Sequence, residues 1–324
     1  PAILPDLPPE YMAININITK ILLIGLPFSA ANGVQWALCY ALRRIYIIEI
    51  PQLIISLLAL IVLWTNRSSI TLDFVAIVIS FRYFVQFIFN SIHLRPRSTY
   101  SVTRMDILHP WKKMLPVLLS GSVTKLEPGI DRYLLSGTAG GTLSLYNLAQ
   151  QLYGIGSQVI TKVYLSPHYA DVAEAVEQGR RPLLHYTNQQ SIRILSISAF
   201  CIIANYIFGQ NILAMIFSHG KVDPNDIYLL WTTTLWLSGV LVGGVLGQLY
   251  TMALYGSGQV ALPSLVNILT FALYVPIKIA AFKAGGLHAM IIATSIYYVA
   301  GAAVFYVLIA LPAWQEERKS GGSK

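Results

Sequence analysis

Long apolar runs recur along almost the whole of this 324-residue sequence. Each run covers about 18 to 25 residues, and a helix of that length crosses a hydrocarbon layer of about 30 Å. Charged residues make up 11% of the chain, whereas a typical soluble domain has about a quarter. The runs are continuous and do not alternate with polar residues, which argues against a membrane β-barrel. The sequence therefore predicts an all-α, polytopic membrane helix bundle.

The apolar runs predict nine membrane-spanning helices, and the basic residues between them predict the orientation. An odd number of spans places the two ends of the chain on opposite sides of the membrane. Fourteen lysines and arginines fall at one set of loops and three at the other, and cytoplasmic loops retain basic residues. The C-terminal tail is therefore predicted to be cytoplasmic and Pro1 external. The predicted spans are residues 17–41, 46–64, 72–92, 113–135, 142–164, 192–217, 227–254, 260–282 and 286–311.

The loops between the spans explain the formal net charge of +8. Because the basic residues are spread over loops on one side, translocation bias accounts for them and no nucleic-acid partner is expected. The longest polar stretch covers residues 165–191, and residues 169–177 have apolar positions at helical spacing. This pattern predicts a helix that lies along the cytoplasmic surface.

The fourth predicted span contains four ionisable residues around a Pro-Gly pair, in the string from Lys125 to Arg132. Each charge at bilayer depth costs about 2.5–3.5 kcal/mol on insertion scales, so these charges must face water or pair with one another. At about 100° per residue, Lys125 and Arg132 share one helix face and Glu127 and Asp131 share another. We predict that the two bases bind an anionic head group and that the two acids bind a coupling cation or close a gate. A purely structural ion-pair cluster is the alternative.

Three further basic residues fall inside predicted spans. Arg82 lies near the middle of the third span, and Lys278 follows Pro276 in a span that proline is able to interrupt. Interrupted helices border substrate sites in many transporters, so both are predicted substrate-binding residues. Lys20 lies near the outer end of its span, where a long side chain reaches the interface, and is a weaker candidate.

Signals for catalysis and for metal binding are lacking in the sequence. It contains no Gly-x-Ser-x-Gly elbow, no phosphate-binding loop and no His-Glu-x-x-His motif. The six histidines form no pair at metal-ligand spacing, and Cys39 and Cys201 lie apart in apolar runs. We predict no catalytic residue, no cofactor and no metal site.

Three glycines recur every four residues in the seventh predicted span, at Gly239, Gly243 and Gly247. Such a ridge of small residues lets a neighbouring helix approach closely. We predict a helix-packing surface, with a sliding interface between moving helices as the alternative.

Two stretches resemble the MviN family of lipid II flippases, whose superfamily also includes multidrug exporters and oligosaccharide flippases. The first covers residues 130–136, 141–152 and 164–167, which read Ile-Asp-Arg-Tyr-Leu-Leu-Ser, Gly-Thr-Leu-Ser-Leu-Tyr-Asn-Leu-Ala-Gln-Gln-Leu and Tyr-Leu-Ser-Pro. The second covers residues 216–221, which read Ile-Phe-Ser-His-Gly-Lys, and continues through Asp226 to Tyr255. The order and spacing of these motifs agree with the family across essentially the whole chain.

The resemblance implies fourteen helices, with two six-helix lobes around a central cavity. The chain would then begin at the fourth helix and end after the twelfth, and we expect that the sequence is truncated before Pro1. The implied division is a partial first lobe at residues 1–94, a cytoplasmic linker at 95–112, a complete second lobe at 113–312 and a cytoplasmic tail at 313–324.

One position departs from the family pattern in a way that bears on the substrate. Where lipid II flippases usually have Ala-Asp-Arg-Leu, this chain has Ala149-Gln150-Gln151-Leu152. Gln151 loses the guanidinium that would hold a pyrophosphate with two hydrogen bonds, yet keeps a donor and an acceptor suited to sugars. A related polysaccharide precursor is therefore an alternative to lipid II.

The resemblance implies alternating-access flipping of an undecaprenyl-pyrophosphate-linked glycan across the bacterial inner membrane. Arg132, Lys125 and Gln151 would lie nearest the head group. The expected partners are this lipid-linked glycan, membrane lipids and a coupling cation. A cation-coupled multidrug exporter is one alternative and would use Glu127 and Asp131 as its main binding groups. A membrane glycosyltransferase and a scaffold for envelope synthesis are the others.

Overall fold

The computed structural model describes residues 9–41, 44, 46–67, 70–94, 104–138, 141–217 and 223–321. Every regular element within these ranges is a helix, which confirms the predicted all-α class. Six helical stretches in this part of the chain are long and apolar enough to cross a membrane. The chain divides into two compact units, Pro1–Ser101 and Val102–Lys324.

The first unit contains three helices: α1 (Pro9–Ala41), α2 (Tyr46–Thr65) and α3 (Leu72–His93). Helices α1 and α3 approach each other closely at Gly25, where an added Cβ would lie only 2.9 Å from Ser80 Oγ. Neutral polar side chains cross the contact: Ser80 Oγ donates to the Ile21 carbonyl at 3.0 Å, and Asn32 Nδ2 donates to the Tyr83 carbonyl at 3.1 Å. These two side chains thus find backbone partners across the contact between the helices.

The second unit contains the remaining helices. They are α4 (Arg104–Thr124), α5 (Glu127–Leu135), α6 (Thr142–Val159), α7 (Tyr169–Gln178), α8 (Arg180–Phe217), α9 (Pro224–Trp236), α10 (Ser238–Gly256) and α11 (Ala261–Gly321), with a π-helical segment at Ile160–Leu165 after α6. Helices occupy all nine predicted spans. Helix α7 confirms the helix predicted at residues 169–177, and its Val172 and Ala175 are buried.

The fourth predicted span is divided into two helices, α4 and α5, at Lys125 and Leu126. Pro128 lies in the first turn of α5, where its missing N–H costs nothing because helix-start N–H groups have no helical partner. Because Pro128 has no N–H, it cannot donate a helical hydrogen bond to α4, which explains why α4 does not continue. The ionisable string therefore surrounds a helix break.

Helix α11 is a hairpin of two arms rather than one continuous rod. Gly285 and Gly286 have non-helical backbone angles, and Gly286 has a φ of 64°, which glycine adopts without a steric penalty. Tyr274 Oη lies 2.8 Å from Thr294 Oγ1, a contact that 20 residues of straight helix would prevent. Residues 261–284 form the first arm and residues 287–321 the second, which confirms the two spans predicted here.

Helix α10 lies at the centre of the second unit, with ten of its 19 residues buried. A Cβ added at Gly239 would lie 2.6 Å from Ser295 Cβ, and one at Gly243 would lie 2.3 Å from the Tyr298 carbonyl carbon. The second arm of α11 therefore packs directly on this glycine surface. A Cβ at Gly247 would meet no atom within 4 Å, so the predicted packing ridge is confirmed for two of the three glycines.

Candidate functional site

Three ionisable side chains meet in the interior of the second unit, and we call them the carboxylate–lysine cluster: Glu127, Asp131 and Lys278. The Lys278 side chain has no exposed surface, Asp131 is 1% exposed and Glu127 is 8% exposed. Lys278 Nζ contacts Asp131 Oδ1 and lies 3.3 Å from Glu127 Oε1. The two acids lie one turn apart on α5, which puts both on the face that meets the first arm of α11.

Tyrosine hydroxyls from both arms of α11 bind the Glu127 carboxylate. The Tyr274 hydroxyl lies 3.0 Å from Oε1, and the Tyr298 hydroxyl donates to Oε2 at 3.0 Å. The Tyr274 hydroxyl also contacts Thr294 Oγ1. Hydrogen bonds to an ionised group are about twice as strong as neutral ones, so Glu127 links α5 to both arms of the hairpin.

The Asp131 carboxylate is bound from α6 as well as by Lys278. The Tyr146 hydroxyl donates to Asp131 Oδ2 at 3.1 Å, and Gln150 Nε2 donates to the same oxygen at 3.2 Å. Gln150 Nε2 also lies 3.0 Å from the Tyr146 hydroxyl. Asp131 is therefore enclosed by donors, as a buried carboxylate requires.

A cavity of about 460 Å³ in the second unit reaches Glu127. It follows α10 from Gly243 to Tyr255, a distance of about 18 Å at 1.5 Å per residue. Gly243 marks the deep end, because it packs on Tyr298, which binds Glu127. Neutral polar side chains line the cavity between the two ends: Gln248, Thr251, Asn267, Thr270 and Tyr297.

The cavity has its other end at Tyr169 and Tyr255. Tyr169 begins α7 and Tyr255 lies in the last turn of α10. By the topology predicted from the basic residues, this end is the cytoplasmic one. The cavity therefore extends from residues at that end of α10 to a carboxylate inside the helix bundle.

The structure brings together three of the seven predicted site residues, the members of the carboxylate–lysine cluster. The other predicted residues of the second unit, Lys125, Arg132 and Gln151, lie on its exposed surface and outside the cluster. The sequence placed the two bases and the two acids on different helix faces, and their burial follows that division. Lys278 is fully buried in this structure, and its role in substrate binding stays a prediction.

Arg82 belongs to the first unit and is partly buried on α3. Its guanidinium carbon lies 5.2 Å from the centre of the Tyr83 ring, a cation–π distance. Its Nε atom is buried without a hydrogen-bond partner among the described residues. Lys20, the weaker candidate, is exposed on α1.

Sequence reasoning missed the polar residues that complete the cluster. A signal existed, because each helical segment at the cluster contributes two polar residues four positions apart in an apolar span. The pairs are Glu127 and Asp131, Tyr146 and Gln150, Tyr274 and Lys278, and Thr294 and Tyr298. Residues at this spacing share one helix face, and four such faces in neighbouring helices indicate a buried polar centre. Within the described residues, no group of three or more His, Cys, Asp or Glu side chains could hold a metal ion.

The fold resembles that of solved multidrug transporters. A point mutant of the Vibrio cholerae MATE transporter VcmN matches with a TM-score of 0.78 and 15% identity, over 96% of this chain and 72% of that chain. An inward-facing multidrug resistance MATE family transporter of the MOP superfamily matches with a TM-score of 0.73 and 14% identity, over 94% and 72%. At these identities the likeness shows the fold alone, and together with the apolar helices it defines the class: a multi-span membrane protein with a fold similar to that of these transporters.

The sequence identifies the family within that class. Residues 9–318 match the family profile described as "Lipid II flippase MurJ", and the chain therefore belongs to the MurJ lipid II flippase family. This match confirms the family indicated by the motifs at residues 130–167 and 216–255. No curated protein matches the chain by sequence.

Proposed function

We propose that the protein containing this chain moves an undecaprenyl-pyrophosphate-linked glycan precursor across the bacterial inner membrane by alternating access. Membership of the flippase family supports movement of a lipid-linked precursor, and the apolar helices support a multi-span location in a membrane. The glycan is lipid II or a related polysaccharide intermediate. The membrane lipids and the lipid-linked glycan are its partners.

The buried carboxylate–lysine cluster is the observation that carries a transport role. Three charges inside a membrane helix bundle are costly to insert, and such residues mark ion or substrate pathways in transporters. Glu127 also borders a cavity that neutral polar side chains line in part, which a passive scaffold would not need. The chemistry is binding and release, with no bond made or broken in the substrate.

Arg132, Lys125 and Gln151 are the proposed contacts of the anionic head group. Their exposure on the second unit leaves them free to meet a substrate that approaches from outside that unit. The planar guanidinium of Arg132 suits two hydrogen bonds to a phosphate, and the Lys125 ammonium adds a positive charge. Arg82, in the first unit, is a separate candidate for substrate binding because its Nε lacks an acceptor among the described residues.

The multidrug-exporter alternative is less well supported by the cluster. An exporter of cationic drugs needs free acids as its main binding groups. Glu127 and Asp131 are instead held by Lys278 and by hydroxyl and amide donors. Both carboxylates are therefore already engaged by donors, and the Lys278 ammonium occupies the space between them that an organic cation would need.

A leaflet-specific transport assay tests this proposal. The protein would be reconstituted into vesicles with a labelled undecaprenyl-pyrophosphate glycan, and its exposure to an impermeant quencher would be followed over time. We expect faster leaflet exchange of the glycan lipid than in protein-free vesicles, with no accumulation of a cationic dye. Dye accumulation without glycan-lipid movement would favour the exporter.

A further inference from the structure

The carboxylate–lysine cluster contains one more acid than base. When all three side chains are ionised, Glu127 and Asp131 contribute two negative charges and Lys278 one positive charge. The surrounding donors are neutral. A net charge inside a membrane bundle requires a counterion or a proton, so the cluster is one cation short of neutrality.

The Lys278 ammonium occupies the space in which a metal cation would bind both acids. Metal cations bind carboxylate oxygens at about 2.0–2.6 Å, and the ammonium already contacts Asp131 and lies 3.3 Å from Glu127. The four-carbon stem tethers this internal cation to the first arm of α11, so it cannot dissociate. The cation that neutralises the remaining negative charge must therefore be small enough to bind a carboxylate without displacing Lys278.

We propose that the cluster binds and releases one proton, that Glu127 is the carrier, and that the proton exchanges with the cytoplasm through the 460 Å³ cavity. The coupling cation of the transporter is then a proton, with Lys278 as a fixed counterion. Glu127 is the carrier because it borders the cavity, whereas Asp131 is enclosed by Lys278, Tyr146 and Gln150. This inference rests on the proposed transport function.

Protonation of Glu127 would change the contacts between α5 and the hairpin. The ionised carboxylate accepts from Tyr298 and Tyr274 and faces Lys278. A carboxylic acid has one O–H donor and fewer lone pairs to offer, so at least one of these contacts must weaken or break. Uptake of a proton thereby weakens at least one contact between α5 and α11, and release of the proton restores it.

The groups that face Glu127 come from four helical segments. None of them apart from Asp131 is a second carboxyl group. They are Asp131 on α5, Tyr146, Gln150 and Tyr153 on α6, Tyr274 and Lys278 on the first arm of α11, and Thr294, Tyr297 and Tyr298 on the second arm. Helix α10 presents Gly243 at this position. A pH response that Glu127→Gln abolishes therefore belongs to this cluster.

Cysteine labelling in the cavity tests the proton site without measuring transport. Asn267 lines the cavity, and an Asn267→Cys reporter would be placed in a protein with Cys39 and Cys201 replaced by alanine. Its labelling rate would be measured against pH with Glu127 intact, with Glu127→Gln, and with the control Glu177→Gln on the exposed face of α7. The thiol's own titration is common to all three proteins and cancels in the comparison.

We expect Glu127→Gln to keep only the pH dependence of a thiol and to lose the additional pH dependence that the other two proteins share. An identical pH response in all three would overturn the proposal. Replacing Na⁺ by choline at constant ionic strength should leave the labelling rate and the thermal midpoint unchanged. A Na⁺-dependent midpoint that Glu127→Gln abolishes would show a metal-cation site instead.

Transport measurements in vesicles then distinguish a failure of proton coupling from a failure of the substrate assignment. An imposed pH gradient should accelerate glycan-lipid movement with Glu127 intact, and a Na⁺ gradient should not. If no glycan lipid moves under any gradient while Glu127-dependent labelling persists, the proton site stands and the substrate assignment fails. If the glycan lipid moves at the same rate with and without a pH gradient, the substrate assignment stands and proton coupling fails.

Discussion

The two units of this chain bury polar groups in different ways. In the first unit, neutral amides and hydroxyls cross the contact between α1 and α3, as with Asn32 and the Tyr83 carbonyl or Gln35 and Ser91. In the second unit the buried groups are a fully enclosed ammonium and two carboxylates. Neutral pairs contribute about 1 kcal/mol each, whereas buried charges are costly unless every partner is present. The contact in the first unit is thus typical of helix packing, whereas the charged centre of the second unit is the one for which we propose a role in transport.

Of the changes considered, removal of the buried ammonium should destabilise the protein most. Lys278→Met leaves Glu127 and Asp131 as two uncompensated carboxylates, and breaking a buried pair costs about 3–5 kcal/mol. We expect a large fall in the thermal midpoint of the detergent-solubilised protein. The double variant Lys278→Met/Asp131→Asn keeps the wild-type net charge and should recover much of the loss. Equal midpoints for the single and double variants would contradict charge as the cause.

Gly243 tests the packing that brings the hairpin to the cluster. A Cβ there would lie 2.3 Å from the Tyr298 carbonyl carbon, whereas one at Gly301 would meet no atom within 4 Å. Gly243→Ala should therefore cost about 1–3 kcal/mol through overpacking, and Gly301→Ala should cost much less. Thermal unfolding of the two proteins in the same detergent measures this difference. Equal midpoints would mean that α10 and the second arm do not pack as described.

Ser80 tests the neutral contact of the first unit. Its hydroxyl donates to the Ile21 carbonyl at 3.0 Å, and such a bond contributes about 0.5–1.5 kcal/mol. Ser80→Ala should lower the thermal midpoint slightly. The matched control is Ser122→Ala, because the exposed Ser122 hydroxyl bonds the Leu118 carbonyl of its own helix. A loss for Ser80→Ala as large as that for Lys278→Met would remove the distinction between the units.

Arg132 should have the smallest effect on stability and a large effect on transport. The side chain is exposed, and surface substitutions usually change the free energy of unfolding by less than about 0.5 kcal/mol. Arg132→Ala should therefore reach the membrane at normal levels yet move little glycan lipid. Arg132→Lys should recover part of the rate, since an ammonium keeps the charge but loses the planar fork. Normal transport by Arg132→Ala would remove it from the proposed head-group site.

The helices could be predicted from the sequence because membrane crossing is a local requirement. Each apolar run has to be long enough for the hydrocarbon layer, and each run proved to be helical. The breaks were less predictable: Pro128 signals the end of α4, while the division between α9 and α10 at Leu237 has no proline or glycine of its own.

The partners in the site could not be predicted, because they depend on contacts between distant parts of the chain. Glu127 and Lys278 are separated by 151 residues, and local periodicity carries no information on which helices meet. Gly243 and Gly247 make the same point, since both follow the four-residue repeat and only Gly243 packs against a neighbour. The sequence identified charges that needed compensation, and the fold determined which residues supply it.

The initial rate of glycan-lipid movement in vesicles tests the central claim most directly, with wild type, Glu127→Gln and the exposed control Glu177→Gln compared under the same pH gradient. We expect Glu127→Gln to lose gradient-driven movement of the glycan lipid and Glu177→Gln to retain the wild-type rate. Correct insertion of all three proteins would be established by equal protein content and equal labelling of an exposed cysteine. Wild-type rates in Glu127→Gln would contradict the claim that the buried cluster of the second unit drives transport.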